Sequence, residues 1–183
     1  MDFKTVLDLI IRAFEKEGIR YGLIGGFALG ALGVPRSTID LDFLVLRDDL
    51  NRVDKIMESN GYKCVYKTEN VSQYVSAVKI FGEIDFLHAF RKISVGMLEK
   101  AQSLDIFEGK LKIRVLRPED IIGLKVQATA NNPERATQDY LDIEALMARY
   151  GKNLDWESVE NYFSLFEQKE KFLELKGKFY DAK

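Results

Sequence analysis

Residues 21–46 read YGLIGGFALGALGVPRSTIDLDFLVL. A short apolar run leads into a Gly25-Gly26 turn, a helix of small residues and a turn containing Pro35. A strand carrying Asp40 and Asp42 follows. Alternate side chains of a strand share a face, so the two acids point the same way, roughly 6–7 Å apart along the chain. Ile39, Leu41, Phe43, Leu44, Val45 and Leu46 around them are apolar, which places the carboxylates on a buried or half-buried strand. Like charges there repel and are costly to desolvate unless something cationic lies between them. A divalent metal answers that need, and Mg²⁺ favours one or two carboxylates together with substrate phosphates. Glycine lets backbone approach a ligand closely, and a helix N-terminus attracts phosphate, so Gly25 and Gly26 supply the complementary half.

Working outward, 183 residues fit one domain with a helical appendage. The apolar fraction of 46% is ample for a core. A formal net charge of −2 gives no basic signature of the kind nucleic-acid binders carry, a local patch aside. Cys64 stands alone, which excludes a disulfide framework or thiolate metal cluster and fits an intracellular protein. Residues 1–18 interleave charges with apolar residues, unlike a signal peptide, and 22–34 is too short and glycine-rich to span a membrane. The expectation is a cytoplasmic protein.

Helical spacing predicts a helix over 3–17 stopped by Gly18, then a strand over 20–24 and a short helix over 27–32. After the Asp40 strand, Asp48 or Asp49 caps a helix ended by Asn60-Gly61. Strands are expected at 62–66, 74–80 and 83–87, with a tight turn at Phe81-Gly82. The last places Asp85 between Ile84 and Phe86, as Asp42 lies between Leu41 and Phe43. A helix over 93–101 and a hairpin of 105–107 with 111–116 complete this part. From Pro118 the pattern turns helical, with starts at Pro118, Pro133 and near Asp155; the charged tail 172–183 is expected to fray. His88 reads as a strand-end surface residue, and Tyr140, Tyr162 and Phe163 as core.

Gly25-Gly26, Arg36-x-Thr38-x-Asp40-x-Asp42 and a lone Asp85 in a later strand together resemble the nucleotidyltransferase superfamily signature. That superfamily includes DNA polymerase β, the CCA-adding enzymes and the minimal bacterial nucleotidyltransferases. Its usual turn is Gly-Ser; the Gly-Gly here is similar to the CCA-adding branch, and it leaves phosphate to backbone N–H groups. Lys125, Arg135, Asp139 and Asp142 resemble the segment after the catalytic domain of AbiEii-type nucleotidyltransferases, whose toxin biology does not follow from this shorter chain. The resemblance covers about residues 20–148.

It implies a mixed α/β (α+β) fold, with a nucleotidyltransferase core at 1–116 and a C-terminal helical segment at 117–183 packed on it. It implies transfer of a nucleoside monophosphate from an NTP to a hydroxyl or phosphate acceptor, with release of pyrophosphate. Two Mg²⁺ ions would serve such a reaction. By resemblance, Asp40, Asp42 and Asp85 are the metal-binding and catalytic acids, Asp85 also accepting the acceptor's proton. Gly25, Gly26, Arg36, Thr38 and Lys125 are the nucleotide contacts, with Lys125 reaching phosphate or base. Asp139 and Asp142, on one helix face, orient Lys125 or the acceptor. Plainer explanations exist: solvated acids on an edge strand, a glycine turn serving only packing, and surface ion pairs for Lys125, Asp139 and Asp142. The apolar run through Leu46 argues against the first. The rival function is a non-catalytic nucleotide-binding or regulatory module of the same fold, within a toxin–antitoxin pair for instance. The acceptor, whether small molecule, protein or tRNA, is left open, with mild acidity favouring the first two.

Overall fold

Val6, Leu7, Ile10, Ile11 and Phe14 recur at helical spacing and give helix α1 (Phe3–Lys16) a buried face. Asp2 caps it, its carboxylate accepting from Thr5 N–H at 3.2 Å. The structure, a computed structural model, describes residues 1–181, with Arg135 described by its backbone only. Ala182 and Lys183, the end of the tail expected to fray, and the Arg135 side chain lie outside the described residues.

The chain divides into two units, Met1–Ala31 with Pro35–Leu116, and Leu32–Val34 with the chain from Arg117 onward. In the first unit, α1 precedes β1 (Tyr21–Ile24), α2 (Gly25–Ala31), β2 (Leu41–Leu46), α3 (Leu50–Ser59) and β3 (Tyr62–Lys67). Then come β4 (Val71–Ser76), β5 (Glu83–Ala89), α4 (Lys92–Glu99), β6 (Gln102–Ile106) and β7 (Leu111–Val115). Among the described residues the strands form one seven-stranded mixed sheet in the order β3-β4-β5-β2-β1-β7-β6. The fold is therefore mixed α/β. Strand β2 is central, antiparallel to β1 and parallel to β5.

Alternation divides the duties of the sheet's two faces. Tyr21, Leu23, Phe43, Tyr74 and Phe86 turn one way into the core. Phe43 stacks on Phe86 at 5.5 Å between ring centres, Tyr74 meets Phe86 edge-on at 5.5 Å, and Phe14 of α1 meets Phe43 at 5.9 Å. These rings exclude water from one side of β2 and β5. The intervening residues of β2, β5 and β4, which include Asp42, Asp85 and Gln73, then share the opposite face.

The second unit holds α5 (Pro118–Asn131), α6 (Ala136–Tyr150), α7 (Trp156–Leu165) and α8 (Lys169–Phe179). Pro118 opens α5, and Asp155 caps α7 by accepting from Ser158 N–H at 3.0 Å. Phe163 packs on Phe172 at 5.8 Å, and the Tyr162 ring fills the space a side chain at Gly123 would occupy. Tyr162 also donates to Asp120 at 2.7 Å, and Tyr140 to Gln168 at 2.5 Å.

Several local expectations are corrected. Gly25 and Gly26 are the first turn of α2 rather than a loop before it. Asp40 lies immediately before β2, not within it. Asp49 stands at the N-cap of α3 as expected, but its side chain pairs with Arg52 rather than with a helix N–H. Strand β4 runs over Val71–Ser76, whereas residues 77–80 are exposed loop, pinned where Asp2 N–H donates to Ile80 O at 2.7 Å. The tail forms α8 because Phe172 and Leu175 bury against neighbouring helices.

His88 is only 4% exposed, not a surface residue. Its Nδ1 lies 3.0 Å from Glu69 O and its Nε2 3.0 Å from Ser72 Oγ. A carbonyl can only accept, so Nδ1 carries the proton and neutral Nε2 accepts from Ser72. Burial accordingly lowers the His88 pKa from its ordinary 6.5. The unfolded chain thus takes up this proton before the folded one does. Stability from this source is full above about pH 6.5 and falls by up to about 1.4 kcal/mol per unit as pH drops below it. The stability difference between wild type and His88→Gln, followed by urea titration from pH 7.5 to 5, should show that slope, because the opposing contribution of Asp85 is common to both.

Candidate active site

Strands β2 and β5 run parallel with Asp42 directly beside Asp85. The same rung continues outward to Ile24 on one side and Gln73 on the other. Asp40, two residues before Asp42, completes a group in which one carboxylate oxygen from each of Asp40, Asp42 and Asp85 lies within 4.8 Å of the others. All three acids are half-buried.

Two glycines and a threonine make this packing possible. Gly25 has φ +68°, and a Cβ there would sit 1.8 Å from Asp42 Oδ2, so only glycine permits both the backbone and the carboxylate. A Cβ on Gly26 would fall 2.7 Å from Thr38 Cβ and 2.8 Å from its Oγ1. Thr38, held in that space, donates to Asp40 Oδ1 at 2.5 Å. Both glycines thus clear room for Asp42 and Thr38, and the Thr38 hydroxyl is engaged with Asp40.

The electrostatics are those of an anion-rich site. Asp85 is pushed up to about 6, first by burial and then by Glu83 and Asp40, while a hydrogen bond from Gln73 works against the rise. Its Oδ1 is buried with no hydrogen-bond partner. Two unit charges at this spacing repel by roughly 3–4 kcal/mol at an effective dielectric near 20. One hydrogen bond to a charged group returns only about 1.5–3 kcal/mol. A cation among the oxygens would remove the repulsion and satisfy the bare Oδ1. The oxygen-only donor set suits Mg²⁺ or Mn²⁺ rather than a thiophilic metal.

Arg36 is exposed and donates to Ser37 O at 2.9 Å. In the helical unit, the Lys125 ammonium lies 3.0 Å from Asp139 and 2.6 Å from Asp142. Gln138 donates to Asp142 at 3.1 Å, and Asp139 Oδ2 is buried without a partner. Sequence reasoning missed Gln73 and Glu83. Glu83 shares the strand face of Asp85 by two-residue spacing, a legible signal; Gln73 depends on register, which spacing does not reveal.

The half-buried acid triad lies beside the β1–α2 glycine corner on the mixed sheet. Residues 3–167 match the family described as uncharacterised nucleotidyltransferases, and the chain belongs to it. No curated protein sequence matches it. The fold is similar to that of the antibiotic-resistance factor ANT(2'')-Ia in solution, at 18% identity and TM-score 0.67 over 95% of this chain and 97% of that one. It is similar to ANT(2'')-Ia in complex with adenylyl-2''-tobramycin, at 16% identity and TM-score 0.65 over 91% and 97%. It is also similar to the lincomycin-bound lincosamide adenylyltransferase LnuA, at 16% identity and TM-score 0.56 over 79% and 96%.

Gly25→Ala should abolish the arrangement without removing any carboxylate. The added methyl displaces Asp42 and meets an unfavourable positive φ, so divalent-ion binding measured by calorimetry should weaken at least about tenfold. The urea midpoint should fall by the equivalent of about 1–3 kcal/mol.

Proposed function

We propose that the chain transfers a nucleoside monophosphate from an NTP to a hydroxyl group of a small-molecule acceptor, releasing pyrophosphate, in a Mg²⁺-dependent reaction. The observation that carries this reading is the Asp40–Asp42–Asp85 convergence, together with a buried Asp85 oxygen that has no hydrogen-bond partner. Asp40, Asp42 and Asp85 would hold the metal, which when bound neutralises charge on the triphosphate and the attacking oxygen, with two ions expected.

The chain's own residues supply the rest. Asp85 takes the proton of the acceptor hydroxyl as that oxygen forms its bond to the α-phosphorus. The bond from the α-phosphorus to the pyrophosphate oxygen breaks, and pyrophosphate leaves with the electron pair. Backbone N–H groups at Gly25 and Gly26, and the Arg36 guanidinium, would bind the triphosphate. Thr38 orients Asp40 through its 2.5 Å hydrogen bond. Lys125 would contact phosphate or base. Its ammonium is already held by Asp139 and Asp142, which favours an orienting role for those acids over acceptor binding.

A small hydroxylated acceptor is favoured by the mildly acidic composition and by the antibiotic-modifying neighbours. An intracellular, cytoplasmic setting accords with the lone Cys64; among the described residues no helix is long and apolar enough to cross a membrane. The test incubates the protein with each α-labelled NTP, Mg²⁺ and pools of small hydroxyl compounds. Label should move to an acceptor, and Asp42→Asn should reduce transfer by about a hundredfold or more while leaving the thermal melt cooperative. NTP binding without Mg²⁺ dependence or turnover would replace this reading with that of a non-catalytic nucleotide-binding module.

A further inference from the structure

Gln73 and Glu83 lie on the same face as the acid triad, yet neither is one of the three acids. Gln73 stands directly across the β4–β5 ladder from Asp85, and Glu83 stands two residues before Asp85 on the same strand. The Gln73 amide donates to Glu83 Oε1, and its position across the ladder puts it close enough to Asp85 to favour that carboxyl's charged form. A carboxamide nitrogen has two hydrogens, so one side chain can serve both acids at once. Gln73 is thus bonded to Glu83 on one side and stands opposite Asp85 on the other, and Asp85 Oδ1 has no partner.

Resting on the reading of the triad as a cation site, we propose that Gln73, braced by Glu83, is a positioning residue that fixes the Asp85 carboxyl so that Oδ1 is presented to a divalent cation shared with Asp40 and Asp42. Without the amide, Asp85 and Glu83 are two acids on one strand face with nothing between them. Their repulsion would then turn Asp85 away from the cation position. Partners that orient a metal-ligating carboxylate typically matter about 10–100-fold in metal affinity.

The experiment measures Mn²⁺ affinity by electron paramagnetic resonance of free Mn²⁺ for the full chain and its variants. Gln73→Met, close in size but unable to donate, should weaken binding about tenfold. Gln73→Asn, whose amide is too short to span both acids, serves as a second variant with the same expectation. In an Asp85→Asn background, Gln73→Met should add less than about twofold, because the effect runs through Asp85. Glu83→Gln keeps an oxygen acceptor for Gln73 and should stay within about threefold of wild type. In turnover, Gln73→Met should lower kcat while leaving KM for the NTP within about twofold.

Unchanged Mn²⁺ affinity in both Gln73 variants would overturn the proposal, as would an equal loss with and without Asp85. A tenfold loss in Glu83→Gln would make Glu83 a ligand and overturn it too. If wild-type protein bound no Mn²⁺, the cation site itself would fall, and the positioning role with it. Binding without any nucleotidyl transfer would leave the positioning role standing and remove only the catalytic reading.

Discussion

Mutual repulsion among Asp40, Asp42 and Asp85 is the constraint to which the rest of the first unit answers. One oxygen from each lies within 4.8 Å of the others on a half-buried face. Folding alone gains nothing from such a gathering, because each charge is partly desolvated and faces two of its own sign. The sheet enforces it by setting Asp42 and Asp85 side by side on parallel strands. The aromatic layer behind them holds those strands, since Phe43 and Phe86, their immediate sequence neighbours, stack within the core. Apolar packing on one face thus fixes an electrostatically strained group on the other.

The glycine corner makes the gathering sterically possible. A side chain at position 25 would overlap Asp42, and one at position 26 would overlap Thr38, which in turn holds Asp40. Each glycine therefore clears one acid, directly or through Thr38. The second unit shows opposite chemistry on a smaller scale, where Lys125 neutralises Asp139 and Asp142 inside a helical environment. Each group keeps one bare buried oxygen, at Asp139 and at Asp85, but only the Lys125 group has an ammonium among its carboxylates.

Much of this was legible in the residues, for physical reasons. Alternation alone put Asp42 and Asp85 on half-buried faces, because Leu41, Phe43, Ile84 and Phe86 had to turn inward. The start of α5 is equally readable from Pro118 followed by two acids, and that of α7 from the apolar face that follows Asp155. Asp40 was misplaced by one residue because apolar neighbours on both sides mimic strand continuation; Ile39 is in fact 83% exposed. Strand β4 ends at Ser76 although Val78 and Ile80 lengthen the apolar run, because both are exposed in the loop that the chain before α1 pins. His88 looked like a surface residue because its partners, Ser72 and the Glu69 carbonyl, come from another strand and the turn before it. Gln73 escaped notice for the same reason, since pairing register is a tertiary property. The tail's helix depended on Phe172 and Leu175 finding partners that local charge patterning does not disclose.

The most direct measurement is anomalous diffraction from a crystal soaked with Mn²⁺ and a non-hydrolysable NTP. The account predicts a strong peak about 2.2 Å from carboxylate oxygens of Asp40, Asp42 and Asp85. A map with no peak at these acids, or with Asp85 turned away from the other two, would contradict it.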